Sequence, residues 1–291
     1  MIRAALFSLL ALSTPALAQS LGPDDVNHQP SSKPTLTAAY GHDPHQVGDL
    51  RLPAGKGPFP VAIVIHGGCW TSGVADRRNT AALASALTRR GIATWNIDYR
   101  ALGDAGGGWP GTFQDWGNAA DYLRILAKSQ PLDLNRLIVI GHSAGGHAAL
   151  WIAARHRIAK TSPIAVANPL PVKAVVDLDG PGDLRPNLGY EPNMCGDAAT
   201  LLLGDTAGAV PDRFNAAAPA ALLPLGVPQV LVSSVFLPAD AAERYRAAAV
   251  AHGDKVSVVH AAGGHFEMIA PGTADEARVE AIVAGLLKPS D

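Results

Sequence analysis

The residue with the clearest chemical potential is Ser143, in the segment GHSAG at 141–145. This G-x-S-x-G pattern lies between an apolar run at 137–140 and a helical pattern at 144–154. In a sharp strand-to-helix turn the serine hydroxyl points out of the fold, and the free amides of the helix start face it. The pattern also fits a plain turn rich in small residues. Its context between strand and helix favours a nucleophilic Ser143.

A second glycine-rich segment, HGGCW at 66–70, follows the apolar run at 61–65. Backbone amides in such a loop can stabilise the oxyanion that forms during acyl transfer. Glycines leave room for a substrate carbonyl to approach the backbone closely. We therefore expect the amides of Gly68, Cys69 and Ala144 to form an oxyanion hole.

The candidate general base is His265, in the segment GGHF at 263–266 beyond the last apolar run. Where a serine nucleophile stands on a strand-to-helix turn, the acid and then the histidine follow it along the chain. His265 would accept the proton of Ser143 and later return it to the leaving group. Three other histidines near these motifs are interpreted as structural, namely His66, His142 and His147.

Short apolar runs alternate with helical patterns along most of the chain. Apolar runs of this kind are typical of strands buried on both faces, and their alternation with helices predicts a parallel sheet. We expect an α/β fold with a doubly wound, mostly parallel sheet and helices on both faces. The expected strands are 61–65, 92–97, 137–140, 173–178, 229–232 and 255–260, and the expected helices are 76–90, 113–129, 144–154, 239–251 and 274–287.

Together, the segments HGGCW at 66–70, GHSAGGHAALW at 141–151 and GGHFEMI at 263–269 resemble the bacterial α/β-hydrolase group. That group includes esterases, lipases and kynurenine-formamidase-like enzymes. The resemblance runs from about Tyr40 to Leu287 and implies the α/β-hydrolase fold. It also implies hydrolysis of carboxylic esters, or of small amides such as formamides, without a cofactor. A metal site is not expected, because no H-E-x-x-H or similar ligand spacing appears.

The sequence departs from this group at the catalytic acid. The group's acid usually follows the strand that corresponds to 229–232, but the loop SSVFLP at 233–238 contains no carboxylate. A buried carboxylate is costly unless it is paired, and Asp179 at the end of the preceding strand would find a partner in His265. Asp179 is therefore the expected acid. Other possibilities remain open, namely Asp240, Asp177, Asp183 or a site without a working acid.

The chain has two cysteines, Cys69 in the 66–70 loop and Cys195 beyond the strand expected at 173–178. Both loops belong at the carboxyl edge of the sheet, where α/β folds bind their ligands. A disulfide across the pocket and two unrelated thiols are equally compatible with the sequence.

Aromatic residues accompany the motifs, and Trp70, Trp109 and Phe266 are interpreted as walls of an apolar substrate pocket. Such a pocket suits an acyl or aryl group better than a phosphate or a sugar. The segment GGGWP at 106–110 fits either a mobile flap or a tolerant turn. Because no helical segment is long enough to form the lid of a large-lipid lipase, we expect small or medium ester or amide substrates.

Residues 1–18 have the pattern of a secretory signal peptide, with Arg3, an apolar stretch at 4–12 and the sequence ALA at 16–18. The apolar stretch is too short to span a bilayer, so we expect cleavage and no membrane anchor. The mature protein would then be periplasmic or secreted. Residues 19–34 are polar and predict a flexible lead-in, and residues 35–291 predict a single α/β-hydrolase domain.

The composition disfavours several other classes. Charged residues make up 16% of the chain, the net charge is −2, and no basic stripe is present. A nucleic-acid partner is therefore not expected. Two cysteines are too few for a disulfide-built scaffold. The leading hypothesis is a secreted serine hydrolase of small or medium esters. The alternatives are a formamidase or peptidase on the same site, and a pseudoenzyme that binds a ligand. The oligomeric state is left open.

Overall fold

The computed structural model describes residues 20–185 and 195–288, and within them one mixed sheet of eight strands forms the centre of the fold. The strands are β1 Leu36–Ala39, β2 Val47–Arg51, β3 Phe59–Ile65, β4 Ala93–Ile97, β5 Leu132–His142, β6 Ala174–Leu178, β7 Gln229–Ser233 and β8 Val256–His260. Their order across the sheet is β1-β2-β4-β3-β5-β6-β7-β8.

Helices flank both faces of this sheet. They are α1 Pro23–Asn27, α2 Ala81–Arg89, α3 Gly111–Leu126, α4 Ala144–Ala154, α5 Ala198–Leu203, α6 Pro211–Ala217, α7 Ala239–Ala251 and α8 Ala274–Leu286. Side chains of each central strand alternate between two cores. On β3, Val61 and Ile63 enter the larger core with α3, α4 and α7, whereas Ala62 and Val64 enter the smaller core with α2 and α8.

Strands β3 to β8 run parallel to one another, whereas β2 pairs antiparallel with both β1 and β4 at one edge of the sheet. This arrangement confirms the predicted α/β-hydrolase fold. The sequence analysis did not predict β1 or β2. Both are short and only partly buried, so neither has the continuous apolar run that marks the central strands.

Helix α2 begins at Ala81 rather than at the predicted residue 76. The carboxylate of Asp76 accepts the backbone N–H of Arg78 at 2.8 Å, which favours a turn over a helix. Thr80 then donates its hydroxyl to Asn96 on β4 at 2.8 Å. Side-chain hydrogen bonds therefore hold the segment before α2 in a non-helical form.

The expected signal peptide at 1–18 lies outside the described residues. The described part of the expected lead-in contains α1 and buries Val26 in the smaller core. The backbone N–H of Leu21 also donates to Glu267 Oε1 at 2.8 Å. A single apolar residue in a polar stretch has no periodicity from which this packing could be predicted. Within residues 20–185 and 195–288, no helix has the length and apolar character needed to cross a bilayer.

Candidate active site

Ser143 lies at the tight turn between β5 and α4. Its φ is 57°, a positive value that residues other than glycine rarely adopt. Only glycine fits at position 141, two residues before Ser143, since a Cβ atom there would lie 1.8 Å from the carbonyl oxygen of Gly145. The backbone N–H of Ser143 donates to the carbonyl of Leu178 at 2.8 Å, which ties the turn to β6. The sequence thus places Ser143 on a turn whose geometry suits a nucleophile.

The 66–70 loop packs directly against this turn. A Cβ atom at Gly67 would lie 2.8 Å from Ser143 Cβ, and Gly68, Cys69 and Trp70 all have positive φ values. Among the described residues, the backbone amides of Gly68 and Cys69 donate to no acceptor. Ala144 is the first residue of α4, so its amide has no acceptor within the helix. The three expected oxyanion donors therefore stand on two segments in contact at Ser143.

A disulfide joins Cys69 to Cys195, with their Cα atoms 5.5 Å apart. Of the two possibilities that the sequence left open, the structure has the cross-link. The bond connects residues 126 positions apart and attaches the 66–70 loop to the segment that leads into α5.

His265 and Asp179 are hydrogen-bonded to each other. The distance between His265 Nδ1 and Asp179 Oδ2 is 2.7 Å, and both side chains are buried. Asp179 follows the last residue of β6 and has a positive φ of 62°. Of the four aspartates considered from the sequence, Asp179 is the one that the described structure brings to His265.

The loop at 233–238 surrounds the carboxylate of Asp179 with backbone amides. Oδ1 accepts the N–H groups of Ser234 at 2.6 Å and Leu237 at 2.8 Å, and Oδ2 accepts that of Phe236 at 3.0 Å. These donors satisfy a carboxylate that is fully removed from water. Sequence reasoning missed this role, because a backbone amide leaves no signature in the residue types.

Three rings surround the imidazole of His265. Phe236 stacks on it with a centroid distance of 3.9 Å, His142 lies at 4.2 Å, and Phe266 meets it edge-on at 5.0 Å. His142 donates from Nε2 to the carbonyl of His265 at 2.9 Å, and burial holds the pKa of His142 well below its usual value. Phe236 did not emerge from the sequence as a site residue.

The hydroxyl of Ser143 makes no hydrogen bond to His265 or to any other residue within the described part of the chain. Ser143 directly follows His142, whose ring contacts that of His265. Hydrogen bonds between nucleophile and base are often long before substrate binds.

The other candidate acids have different partners. Asp177 is fully buried and accepts the N–H of Gly180 at 2.8 Å, and this burial raises its pKa well above the ordinary value. Asp183 accepts the N–H of Arg185 at 3.0 Å and pairs with its guanidinium. Asp240 is exposed and pairs with Arg244.

Two of the histidines interpreted as structural brace the loops around the site. His66 Nε2 lies 3.1 Å from Asp98 Oδ1, and the ring of His66 stacks on that of Tyr99 with a centroid distance of 4.4 Å. His147 on α4 donates from Nε2 to the carbonyl of Ala217 at 2.9 Å. Burial lowers the pKa of His147 to about 4, so this ring is neutral at pH 7.

The three expected pocket walls have different surroundings. Phe266 lies beside His265, as described above. Trp70 is a core residue rather than an open wall, since 1% of it is exposed and its ring packs edge-on against His147. Trp109 lines a cavity of about 590 Å³ with residues from 157–163 and 212–222, and neither Ser143 nor His265 lines that cavity. The sequence could not separate these cases, because apolar character alone does not distinguish core from pocket.

A family model described as BD-FAE matches residues 49–234, more than half of the chain. The chain belongs to the BD-FAE family. The matched range includes the 66–70 loop, the Ser143 turn and Asp179, and it ends before His265. This α/β-hydrolase-like family confirms the resemblance seen in the sequence motifs and the interpretation of the chain as a hydrolase. No curated protein matches the chain.

Solved structures of esterases share the fold at low sequence identity. A truncated carbohydrate esterase from gut microbiota has a TM-score of 0.74 and 18% identity, over 89% of this chain and 99% of that one. Esterase B from Lactobacillus rhamnosis has a TM-score of 0.72 and 21% identity, over 91% and 90%. The butyrate-bound esterase Est2 from Thermogutta terrifontis has a TM-score of 0.67 and 16% identity, over 87% and 92%.

Proposed function

We propose that the protein is a secreted serine hydrolase that cleaves small or medium carboxylic esters through Ser143, His265 and Asp179. The observation that carries this proposal is the 2.7 Å hydrogen bond between His265 Nδ1 and Asp179 Oδ2, next to the Ser143 turn. A carboxylate that orients a histidine beside a serine on a strand-to-helix turn is the arrangement that acyl transfer requires.

The first half of the reaction forms an acyl-enzyme. Because Asp179 accepts a hydrogen bond from Nδ1, the neutral imidazole of His265 keeps Nε2 free as the base. His265 Nε2 takes the proton of Ser143 Oγ while Oγ attacks the ester carbonyl carbon. The oxygen that becomes negative is stabilised by the amides of Gly68, Cys69 and Ala144. As the intermediate collapses, the alcohol leaves with the proton from His265.

Water completes the second half of the reaction. His265 takes a proton from water, the hydroxide attacks the acyl carbon, and the proton returns to Ser143 Oγ as the carboxylic acid is released. Asp179 stabilises the imidazolium in both halves of the reaction, and four hydrogen bonds converge on its two oxygens.

Two features support action outside the cytoplasm. The signal-peptide pattern at 1–18 predicts export, and the Cys69–Cys195 disulfide is of the kind that persists in oxidising compartments. The proposed location is therefore the periplasm or the medium.

The comparison structures guide the choice of test substrates. They include a carbohydrate esterase and an esterase with bound butyrate, so short acyl groups on both simple alcohols and sugars are reasonable candidates. Phe266 and Phe236 give the surroundings of His265 an apolar character that suits the acyl portion. N-formyl compounds test the formamidase alternative on the same site.

The decisive experiment compares the wild type with Ser143→Ala, using a fluorophosphonate probe and a panel of p-nitrophenyl esters, acetylated sugars and N-formyl compounds. Ser143→Ala should lose the label and reduce ester hydrolysis by at least about 10⁴-fold. Ser129→Ala is the matched control and should behave as wild type, because Ser129 is exposed in the turn that follows α3. A folded wild-type protein with neither label nor turnover would instead be a pseudoenzyme. Preferred cleavage of N-formyl compounds would make it a formamidase.

A further inference from the structure

Phe236 contacts both members of the His265–Asp179 pair. Its ring lies nearly parallel to the imidazole of His265, with a centroid distance of 3.9 Å and an interplanar angle of 29°. Its backbone N–H donates at 3.0 Å to Asp179 Oδ2, the same oxygen that accepts His265 Nδ1 at 2.7 Å. One residue therefore touches the face of the base and the oxygen that orients it.

This contact favours one protonation state of His265 over the other. The face of an aromatic ring carries a partial negative charge and attracts a cation placed above it. The imidazole of His265 is neutral before reaction and becomes cationic when it takes the Ser143 proton. The attraction is therefore stronger in the transition state than in the ground state, and only such differential interactions accelerate a chemical step.

We propose that Phe236 is a positioning residue for His265, which holds the imidazole in plane with Asp179 and stabilises the imidazolium through its aromatic face. This inference rests on the proposed function, because it requires His265 to act as the general base. It assigns a role to a side chain in the 233–238 loop, which lacks the acid that is usual in the group the sequence resembles.

The other charged and titratable groups around His265 would not produce the change in protonation that we expect from replacing the Phe236 ring. Asp179 approaches from the end of β6, and His142 approaches from the end of β5 with its pKa lowered by burial, so that it stays neutral. Glu267 and Asp275 accept backbone N–H groups from Leu21 and from the Gly263 region, on the side of the His265 loop. All four groups remain when the Phe236 ring alone is replaced.

The test compares Phe236→Leu with Phe236→Tyr. Leucine keeps the apolar volume and the backbone amide but removes the aromatic face, whereas tyrosine retains the face. In Phe236→Leu, the midpoint of the acidic limb of the kcat/KM profile should move to lower pH by about 0.5 to 1 unit. This shift corresponds to the loss of one cation–π contact, since one pH unit equals about 1.36 kcal/mol. The plateau value of kcat should fall by about 3- to 10-fold, with KM nearly unchanged.

Phe236→Tyr should keep the wild-type profile. Phe59→Leu is the matched control, because Phe59 is also half-buried but lies at the start of β3, at the opposite edge of the sheet from Ser143. An acidic limb that stays in place in Phe236→Leu, or moves equally in Phe59→Leu, would overturn the proposal.

A second measurement does not depend on turnover. The ring signals of isotope-labelled histidine, with His265 assigned by loss of its signal in His265→Gln, are titrated by NMR in the Ser143→Ala background. The His265 midpoint should shift to lower pH in Phe236→Leu. A shift in this background, together with no hydrolysis by the protein that retains Ser143, would support the stacking role and contradict the proposed function. Full hydrolysis by the protein that retains Ser143, together with no shift in this background, would support the proposed function and contradict the stacking role.

Discussion

Two neighbouring loops at the carboxyl edge of the sheet divide one task between them. The loop after β6 supplies the carboxylate of Asp179, and the loop after β7 supplies the amides that hold it. In the enzymes that the sequence resembles, the acid itself usually stands after the strand equivalent to β7. The proposed acid, Asp179, therefore stands one strand earlier than the usual acid, and the loop after β7 contributes hydrogen bonds to it in place of a carboxylate.

The adjacency of β6 and β7 explains how the loop after β7 reaches the carboxylate of Asp179 in the loop after β6. Strands β6 and β7 are adjacent and parallel, so their carboxyl ends lie side by side. The N–H of Asp179 donates to the carbonyl of Val232 at 2.8 Å, which brings the two loops into register. With no carboxylate of its own, the 233–238 loop folds its amides around Asp179. Those hydrogen bonds offset the desolvation of a buried charge.

The sharpest way to break the comparison is Asp179→Asn. An amide has the shape of the carboxylate but cannot accept all four hydrogen bonds, and it favours the wrong tautomer of His265. We expect kcat for ester hydrolysis to fall by about 10⁴-fold. Asp183→Asn, in the same loop but paired with Arg185, should stay within a few-fold of wild type. Equal activity of Asp179→Asn and wild type, with both folded by circular dichroism, would contradict the assignment of the acid.

The contribution of the second loop is tested with Ser234→Pro, which removes the amide that lies 2.6 Å from Asp179 Oδ1. A hydrogen bond to a charged group contributes about 1.5–3 kcal/mol, so we expect activity to fall by roughly 10- to 100-fold. Val235→Pro is the matched control, because Val235 is exposed and, among the described residues, its amide donates to no side chain or turn carbonyl. Similar kinetic losses in both variants would mean that proline distorts the loop and that the Ser234 amide has no special role.

The smallest effect is expected at Asp177, two residues before the proposed acid. Because burial raises the pKa of Asp177, folding favours its neutral form, and Asn is a close neutral substitute that still accepts the Gly180 N–H. Asp177→Asn should keep hydrolysis within about threefold of wild type. A large loss of activity would show that both aspartates of this strand end serve the site.

The same variant has a predictable effect on stability. When an acid has a higher pKa in the folded protein than in the unfolded chain, the protein loses stability as the pH rises from the unfolded-state pKa to the folded-state pKa. We therefore compare the free energy of unfolding of Asp177→Asn with that of wild type. The advantage of the variant should be larger at pH 8 than at pH 4. Urea denaturation at the two pH values measures this difference, and an advantage that grows towards acid pH would contradict a raised pKa of Asp177 in the folded protein.

Much of the fold could be predicted because the central strands are buried on both faces and leave continuous apolar runs. The expected strands at 61–65, 229–232 and 255–260 lie within one or two residues of β3, β7 and β8. The edge strands β1 and β2 were missed, since partly exposed strands have mixed sequences. The helix expected from residue 76 was too long, because local side-chain hydrogen bonds from Asp76 compete with the helix.

The sequence by itself determined the kind of protein and the order of its chemical groups. Ser143 between a strand and a helix, glycines at 67–68 and His265 beyond the last strand are properties of residue types and spacing. Only the tertiary structure decided which aspartate meets His265, that Cys69 pairs with Cys195, and that Phe236 covers the imidazole. These are contacts between distant segments, and they depend on strand adjacency and on backbone amides. Residue types alone show neither which strands are adjacent nor where backbone amides point.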